Sequence, residues 1–224
     1  MKRWNGVSSM HLTECGLPGI GQVAYGVHLC HFYPNRQVLA EGLVAYFKAG
    51  LRNNERCIWV AGDPMPAVDA RDEIARNHPE MMAALDTGLL RIVDGRDWYG
   101  EAGSYVAADL IKLWADAEKE ALHAGHNGLR VTGNPSFLQA SDWDAFMGYE
   151  RALTPAMAGT RILALCSYSL DLCRPTDMLD VVRSHHATLD RAEGDWLVRQ
   201  DLRGPLDRAG SPSRSSGAGR AKHS

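Results

Sequence analysis

The sequence predicts an α/β domain, a three-layer sandwich around a mainly parallel central sheet of about five or more strands. Two observations carry this reading. Short apolar runs alternate with longer helical patterns from about residue 25 to 200, the signature of parallel strands joined by crossover helices that cover both faces of a sheet. The 45% hydrophobic content of the 224 residues also suffices for a core of that kind.

The first strand is Val27–Tyr33, followed at once by the turn Pro34-Asn35-Arg36. An amphipathic helix comes next, with Leu39, Leu43, Tyr46, Phe47 and Gly50 on one face. Cys57–Ala61 is the second strand, ended by Pro64-Met65-Pro66. Leu89–Val93 is the third, with Trp98 and Tyr99 in a following loop as exposed lid aromatics. Val106, Leu110, Leu113, Trp114, Ala117 and Ala121 then recur on one helical face over about four turns. Leu129–Thr132 is the fourth strand. Ser141-Asp142 starts a helix carrying Trp143, Phe146, Met147 and Tyr149, and Ile162–Tyr168 is the fifth strand. Pro175-Thr176-Asp177 opens a last helix on which Met178, Leu179, Val182, His185 and Leu189 share a pattern. Gly50 and Gly125 fall near helix ends, where a left-handed cap suits glycine.

Three segments follow. Residues 1–24, weakly patterned and glycine-rich, read as a flexible N-terminal arm, or one ordered against the domain. Residues 25–202 form the folded domain. Residues 203–224 contain no aromatic and five Lys/Arg against one Asp, and read as a disordered basic tail. The net charge of −3 gives no whole-protein attraction to nucleic acid or membrane, so direct nucleic-acid binding is not expected. No run of about 18 apolar residues exists to span a bilayer, and residues 1–10 lack the apolar stretch of a signal peptide. The five cysteines form no Cys-x-x-Cys pair and read as free thiols of a reducing, cytoplasmic compartment.

The turn after the first strand is where many nucleotide-binding α/β proteins place a glycine-rich phosphate cradle. Here it holds no glycine and no Gly-Lys-Ser/Thr. No Gly-x-Ser-x-Gly is present either, and the expectation is a protein without catalysis and without a cofactor. Alternation along the first strand puts His28, Cys30 and Phe32 on one face and Leu29, His31 and Tyr33 on the other. Phe32 and Tyr33 lie nearest the carboxyl end, where ligands of open parallel sheets bind. Cys166 and Tyr168 share a face near the end of the fifth strand. If that strand neighbours the first, Cys30, Cys166, Phe32 and Tyr168 line one pocket suited to a small, weakly polar guest. A buried cysteine is more often only a small hydrophobe.

His28 and Cys30, two apart, could chelate a metal with Cys166 or His185 as third ligand. No paired ligand spacing is visible, so no metal is assigned. Arg130, on a central strand, needs a partner; Glu150 on the next helix is the candidate, with Arg130 as a ligand's polar anchor the alternative. Asn134 is neutral where related nucleotide-hydrolysing scaffolds carry an acid. His28 reads as supporting its strand from below, and His185 as a satisfied core histidine.

In order, the motifs are His28-Leu-Cys-His-Phe-Tyr33, Tyr46-Phe-Lys-Ala-Gly-Leu51, Cys57-Ile-Trp-Val60, Gly88-Leu-Leu-Arg-Ile92, Trp98-Tyr99, Gly128-Leu-Arg-Val-Thr-Gly133, Tyr149-Glu150, Leu165-Cys-Ser-Tyr168 and a late histidine after a helix. In this order they resemble the MEDS family, the methanogen/methylotroph DcmR-type sensory domain, from about His28 to His186. The resemblance implies a KaiC/RecA-like core with a degenerate phosphate loop. It also implies a role in sensing simple hydrocarbon derivatives for transcriptional or signal-transduction control. Family members occur beside kinase, anti-sigma or DNA-binding modules; here the expectation is a stand-alone sensor acting through such a partner or as a homo-oligomer. Two departures stand out: Asn134 and Phe137 occupy positions where the family has an acid and a Trp, and His186 occupies the place of a usual Pro. The expected ligand-binding set is Cys30, Phe32, Tyr33, Trp98, Tyr99, Arg130, Cys166 and Tyr168, supported by His28, Glu150 and His185. The alternatives are a thiol- or metal-based redox sensor and a degenerate nucleotide-binding protein.

Overall fold

β-Branched and aromatic runs bounded by turns form the strands, and each strand that was legible in the sequence is present. The computed structural model describes residues 11–100, 105–192 and 194–200. Two short strands come first, β1 (Leu12–Glu14) and β2 (Gln22–Ala24). They are followed by β3 (Val27–Tyr33), α1 (Arg36–Arg52), β4 (Arg56–Ala61), α2 (Ala67–Asn77), α3 (Met82–Asp86), β5 (Leu90–Asp94) and α4 (Gly95–Tyr99). The chain continues through α5 (Ala107–His123), β6 (Leu129–Gly133), α6 (Trp143–Ala156), β7 (Ile162–Ser169), α7 (Pro175–Ser184), β8 (Ala187–Ala192) and β9 (Asp195–Gln200).

Seven strands form the main sheet in the order β5-β4-β6-β7-β3-β8-β9, and all neighbours are parallel except β8 and β9. One face packs against α1 and α2 through Leu29, Leu39, Leu43, Phe47, Trp59 and Ile74. The other packs against α5, α6 and α7 through Ile58, Trp114, Val131, Phe146, Tyr149 and Val181. Covering on both sides explains why β3, β4, β6 and β7 are apolar almost throughout.

Several expectations are corrected. Residues 11–24 are not a free arm: β1 and β2 pair as an antiparallel hairpin, and Cys15, Leu17 and Val23 are buried in the core. Residues 1–10 and the basic tail at 203–224 lie outside the described residues. The last helix stops at Ser184, so His185 is its extended C-cap and Leu189 belongs to β8. Trp98 and Tyr99 sit on the short α4 rather than in an open loop, with Tyr99 buried against Phe146 and Tyr149. On α5 the buried stripe is Leu110, Trp114, Ala117 and Ala121, while Val106 and Leu113 are exposed. Gly125 takes the expected positive φ, but Gly50 lies inside α1. A Cβ on Gly50 would stand 2.6 Å from Arg130 Cδ, so this glycine is there for close approach.

Arg130 explains that approach, and its partner is Glu55 rather than Glu150. Its Nε and Nη2 donate to the Glu55 carboxylate. Nη1 donates to the Cys15 and Tyr46 carbonyls at 2.8 and 2.9 Å, and Nη2 to the Glu14 carbonyl at 2.7 Å. The guanidinium also lies 4.6 Å from the Tyr46 ring centroid. Both charged side chains are fully buried. Burial alone would raise the Glu55 carboxyl. The adjacent Arg130 guanidinium, helped by the Thr13 and Tyr25 hydroxyls, instead holds it below the usual carboxylate range. The ion pair thus ties the N-terminal hairpin, α1 and the centre of the sheet together. Removing one partner of such a pair leaves a buried, uncompensated charge. Urea unfolding of Arg130→Met is therefore expected to show a loss of about 3–5 kcal/mol. Adding Glu55→Gln should restore part of it; a single variant as stable as the parent would refute this account.

Candidate functional site

β3 and β7 are adjacent and pair in register: Cys30 opposes Cys166 and Phe32 opposes Tyr168. Because partners in a parallel pair share a face, His28, Cys30, Phe32, Cys166 and Tyr168 all look toward α6 and α7. The Phe32 and Tyr168 rings lie 6.0 Å apart. Tyr33 looks the other way, and its hydroxyl donates to the Asp63 carbonyl at 2.9 Å. Arg130 is on that second face as well, with its N–H groups committed to Glu55, Thr13 and three carbonyls. Tyr33 and Arg130 therefore stand apart from the cysteine-bearing face, and Arg130 cannot anchor a guest there.

On the cysteine-bearing face, four buried side chains converge: His28 from β3, Glu150 from α6, Cys166 from β7 and His185 after α7. One ligand atom from each lies within 4.8 Å of all the others. His28 Nε2 is 3.2 Å from Cys166 Sγ and 3.3 Å from Glu150 Oε2. His185 Nε2 is also 3.3 Å from Glu150 Oε2, and Cys166 Sγ is 4.0 Å from it. The two imidazole rings lie 4.0 Å apart.

The neighbours fix the tautomers. The Thr154 hydroxyl donates to the Ser184 carbonyl, so its oxygen accepts from His28 Nδ1–H at 2.8 Å. His185 Nδ1 lies 2.8 Å from the Val181 carbonyl, which can only accept. In the neutral rings both Nε2 atoms then carry lone pairs directed into the cluster. Burial keeps His28 neutral, lowering its pKa well below the ordinary value, and the neighbouring His185 and His186 add to this. Burial also raises the Glu150 carboxyl to about 8, against a smaller opposite pull from the Tyr168 hydroxyl. The Cys166 thiol is pushed well up by burial and by Glu150.

Cys30, two residues beyond His28 on β3, lies 3.4 Å from Thr188 Oγ1 and is not a member of the cluster. The pairing of His28 with Cys30 as chelating neighbours is thus replaced by one of His28 with Glu150, Cys166 and His185. Thr154, missed in the sequence, was findable: it follows Glu150 by four residues and so shares its face of α6.

Two spaces flank the cluster. Behind it is a small apolar cavity lined by Tyr99, Trp114, Gly133, Tyr149, Ala164 and Cys166, with room for about one water molecule. A Cβ at Gly133 would lie 2.6 Å from the Tyr99 hydroxyl and 3.5 Å from Cys166 Sγ, so glycine keeps this space open. In front, at the carboxyl ends of β6 and β7, a surface groove of about 290 Å³ runs between Asn134, Trp143, Ser167, Tyr168, Arg174 and Asp177. Tyr168 lines that groove and packs edge-on against His185 at 5.8 Å. Trp98 packs at a tilt on Trp114, with ring centroids 4.5 Å apart, and Trp114 lines the cavity.

This arrangement matches known proteins at two levels. The model of the MEDS family, the methanogen/methylotroph DcmR sensory domain, matches residues 27–186. The chain belongs to the MEDS family. Among curated proteins none matches it. Among solved structures, a KaiC-like protein from Pyrococcus horikoshii OT3 is similar over 87% of this chain and 90% of its own, at a TM-score of 0.59 and 13% identity. The flagellar accessory protein FlaH from Methanocaldococcus jannaschii is similar over 80% of this chain and 77% of its own, at 0.53 and 11%. At these identities the likeness concerns the fold. In this MEDS chain only Pro34 and Asn35 separate β3 from α1, and the Asn35 side chain caps the helix by accepting from Val38 N–H at 3.0 Å.

On the opposite face His31 is fully buried, 2.7 Å from Ser167 Oγ and packed on Trp196. Burial lowers its pKa to about 3. The unfolded chain binds a proton at this site below about pH 6.5 while the folded chain does not, so acidification from about 6.5 toward 3 favours unfolding. Urea titrations across that range are expected to lose roughly 1.4 kcal/mol per pH unit through this group. His31→Gln should flatten the slope by that amount, and an unchanged slope would contradict the assignment.

Proposed function

We propose that this chain is a non-catalytic sensory domain. It binds a small, weakly polar organic molecule, such as a simple hydrocarbon derivative, at the Tyr168 end of the cysteine-bearing face. It then signals to a protein partner in transcriptional or signal-transduction control. The observation that carries this reading is the position of Tyr168. It lines the groove at the carboxyl ends of β6 and β7, where ligands of open parallel sheets bind, and shares a face of β7 with Cys166 two residues before it.

Membership of a sensory family supports the reading. So does the lining: Tyr168, Trp143 and Cys173 give polarisable contact, with Phe32 packed behind Tyr168, while Asn134 and Ser167 offer a few polar groups. The inner cavity favours a guest of very few heavy atoms, since anything larger must displace a ring. A guest that holds Tyr168 away from His185 selects one arrangement of α7 and the turn after it, and a partner reading that surface receives the signal. A nucleotide is disfavoured, because the two-residue turn after β3 leaves no loop to wrap phosphates and Asn35 already occupies the helix start.

The test is a thermal-shift screen of one- and two-carbon halides, alcohols and methylamines, with ATP and magnesium in parallel. A true ligand at about 100 times its Kd stabilises by about 2.7 kcal/mol, a rise of roughly 5–10 °C for a chain of this length. Tyr168→Ala should lose the response and ATP should give none. A shift by ATP, or a response that Tyr168→Ala leaves intact, would overturn the proposal.

A further inference from the structure

We propose that His28, Glu150, Cys166 and His185 form a binding site for one divalent transition-metal ion of borderline softness, zinc foremost. The site goes beyond the ligand reading above and stands independently of it.

Four of the six separations among the ligand atoms lie near those around a tetrahedral ion. An ion with bonds of about 2.0–2.3 Å to N, O and S ligands holds neighbouring ligand atoms roughly 3.3–3.6 Å apart. The distances from His28 Nε2 to Glu150 Oε2 and from His185 Nε2 to Glu150 Oε2 are both 3.3 Å. Those from Cys166 Sγ to His28 Nε2 and to Glu150 Oε2 are 3.2 and 4.0 Å. Small rotamer adjustments reconcile all four with one central ion.

The surroundings of the imidazoles are those of metal ligands. Each ring is oriented through its Nδ1–H, His28 by Thr154 and His185 by the Val181 carbonyl, which leaves Nε2 as the donor atom. The Thr154 hydroxyl is itself held by the Ser184 carbonyl, so α6 and the end of α7 are tied to the same ring.

The charges balance. Binding M²⁺ breaks the S–H bond of Cys166 and the O–H bond of Glu150, both protons pass to the buffer, and the resulting thiolate and carboxylate neutralise the ion with no redox change. Calcium and magnesium are excluded by the donor set, since they take oxygen ligands, whereas two imidazoles and a thiolate suit zinc or ferrous iron. The four ligands come from β3, α6, β7 and the end of α7, so one ion would cross-link the sheet to the layer that covers it.

The experiment is to prepare the full chain metal-free with a chelator and titrate it with Co²⁺ and then Zn²⁺. Co²⁺ is expected to bind at one ion per chain and to give visible bands of a tetrahedral site with a near-ultraviolet thiolate-to-cobalt band, which Zn²⁺ then bleaches. Cys166→Ser should lose the thiolate band. His185→Gln should weaken binding by more than about tenfold. Glu150→Gln, which keeps the shape of the carboxyl, guards against loss of folding: its melting curve without metal should remain cooperative while Co²⁺ affinity falls by a similar factor. Cys30→Ser, outside the cluster, should bind as the parent does. No bound cobalt, an octahedral spectrum, or a thiolate band that survives Cys166→Ser would overturn the proposal.

Discussion

The in-register parallel pairing of β3 with β7 is the constraint on which the rest of the site depends. It sets Cys30 opposite Cys166 and Phe32 opposite Tyr168, and it brings His28 to the same face as Cys166. A slip of one residue would send every one of these side chains of β3 to the other face. The two strands are central and covered on both sides, which leaves little freedom for such a slip. The sheet therefore works as a ruler that brings a β3 imidazole within 3.2 Å of a β7 thiol, although 138 residues separate them in the chain.

The two faces of this sheet divide the buried polar groups by charge. Toward α1 lies a fixed ion pair, Arg130 with Glu55, saturated by carbonyls and hydroxyls. Toward α6 lies a group without a guanidinium, in which burial favours the neutral forms of His28, Glu150 and Cys166. Buried polar groups of the first kind hold the fold; those of the second kind retain chemistry, because their protonation can still change when something charged arrives. The inner aromatic layer of Tyr99, Trp114 and Tyr149 isolates the second group from bulk water on one side. Tyr168 does so on the other.

Much of the architecture was legible because the strands are buried on both faces and hence nearly continuous in hydrophobicity: Val27–Tyr33, Cys57–Ala61 and Ile162–Tyr168 need no alternation to be recognised. The grouping of Cys166 and Tyr168 with Cys30 and Phe32 followed from parity along two strands. What escaped was long-range. Nothing local says that Arg130 reaches Glu55 instead of Glu150, since both are single acids near apolar segments and only the hairpin of residues 11–24 decides which is close. That hairpin was itself obscured by three-residue strands and glycines. The continuation of the last helix through His185 to Leu189 was a period-matching error: the apolar residues after Ser184 belong to β8 and repeat every second position. His185 thereby moved from a helix face to a bend that points it at Glu150.

The turn between β3 and α1 limits what the strand end can hold. A Gly-x-x-x-x-Gly-Lys-Ser/Thr loop takes eight residues to encircle a triphosphate, whereas this chain makes the same crossing in two. A turn this short cannot become a phosphate cradle by any exchange of side chains; backbone would have to be added first.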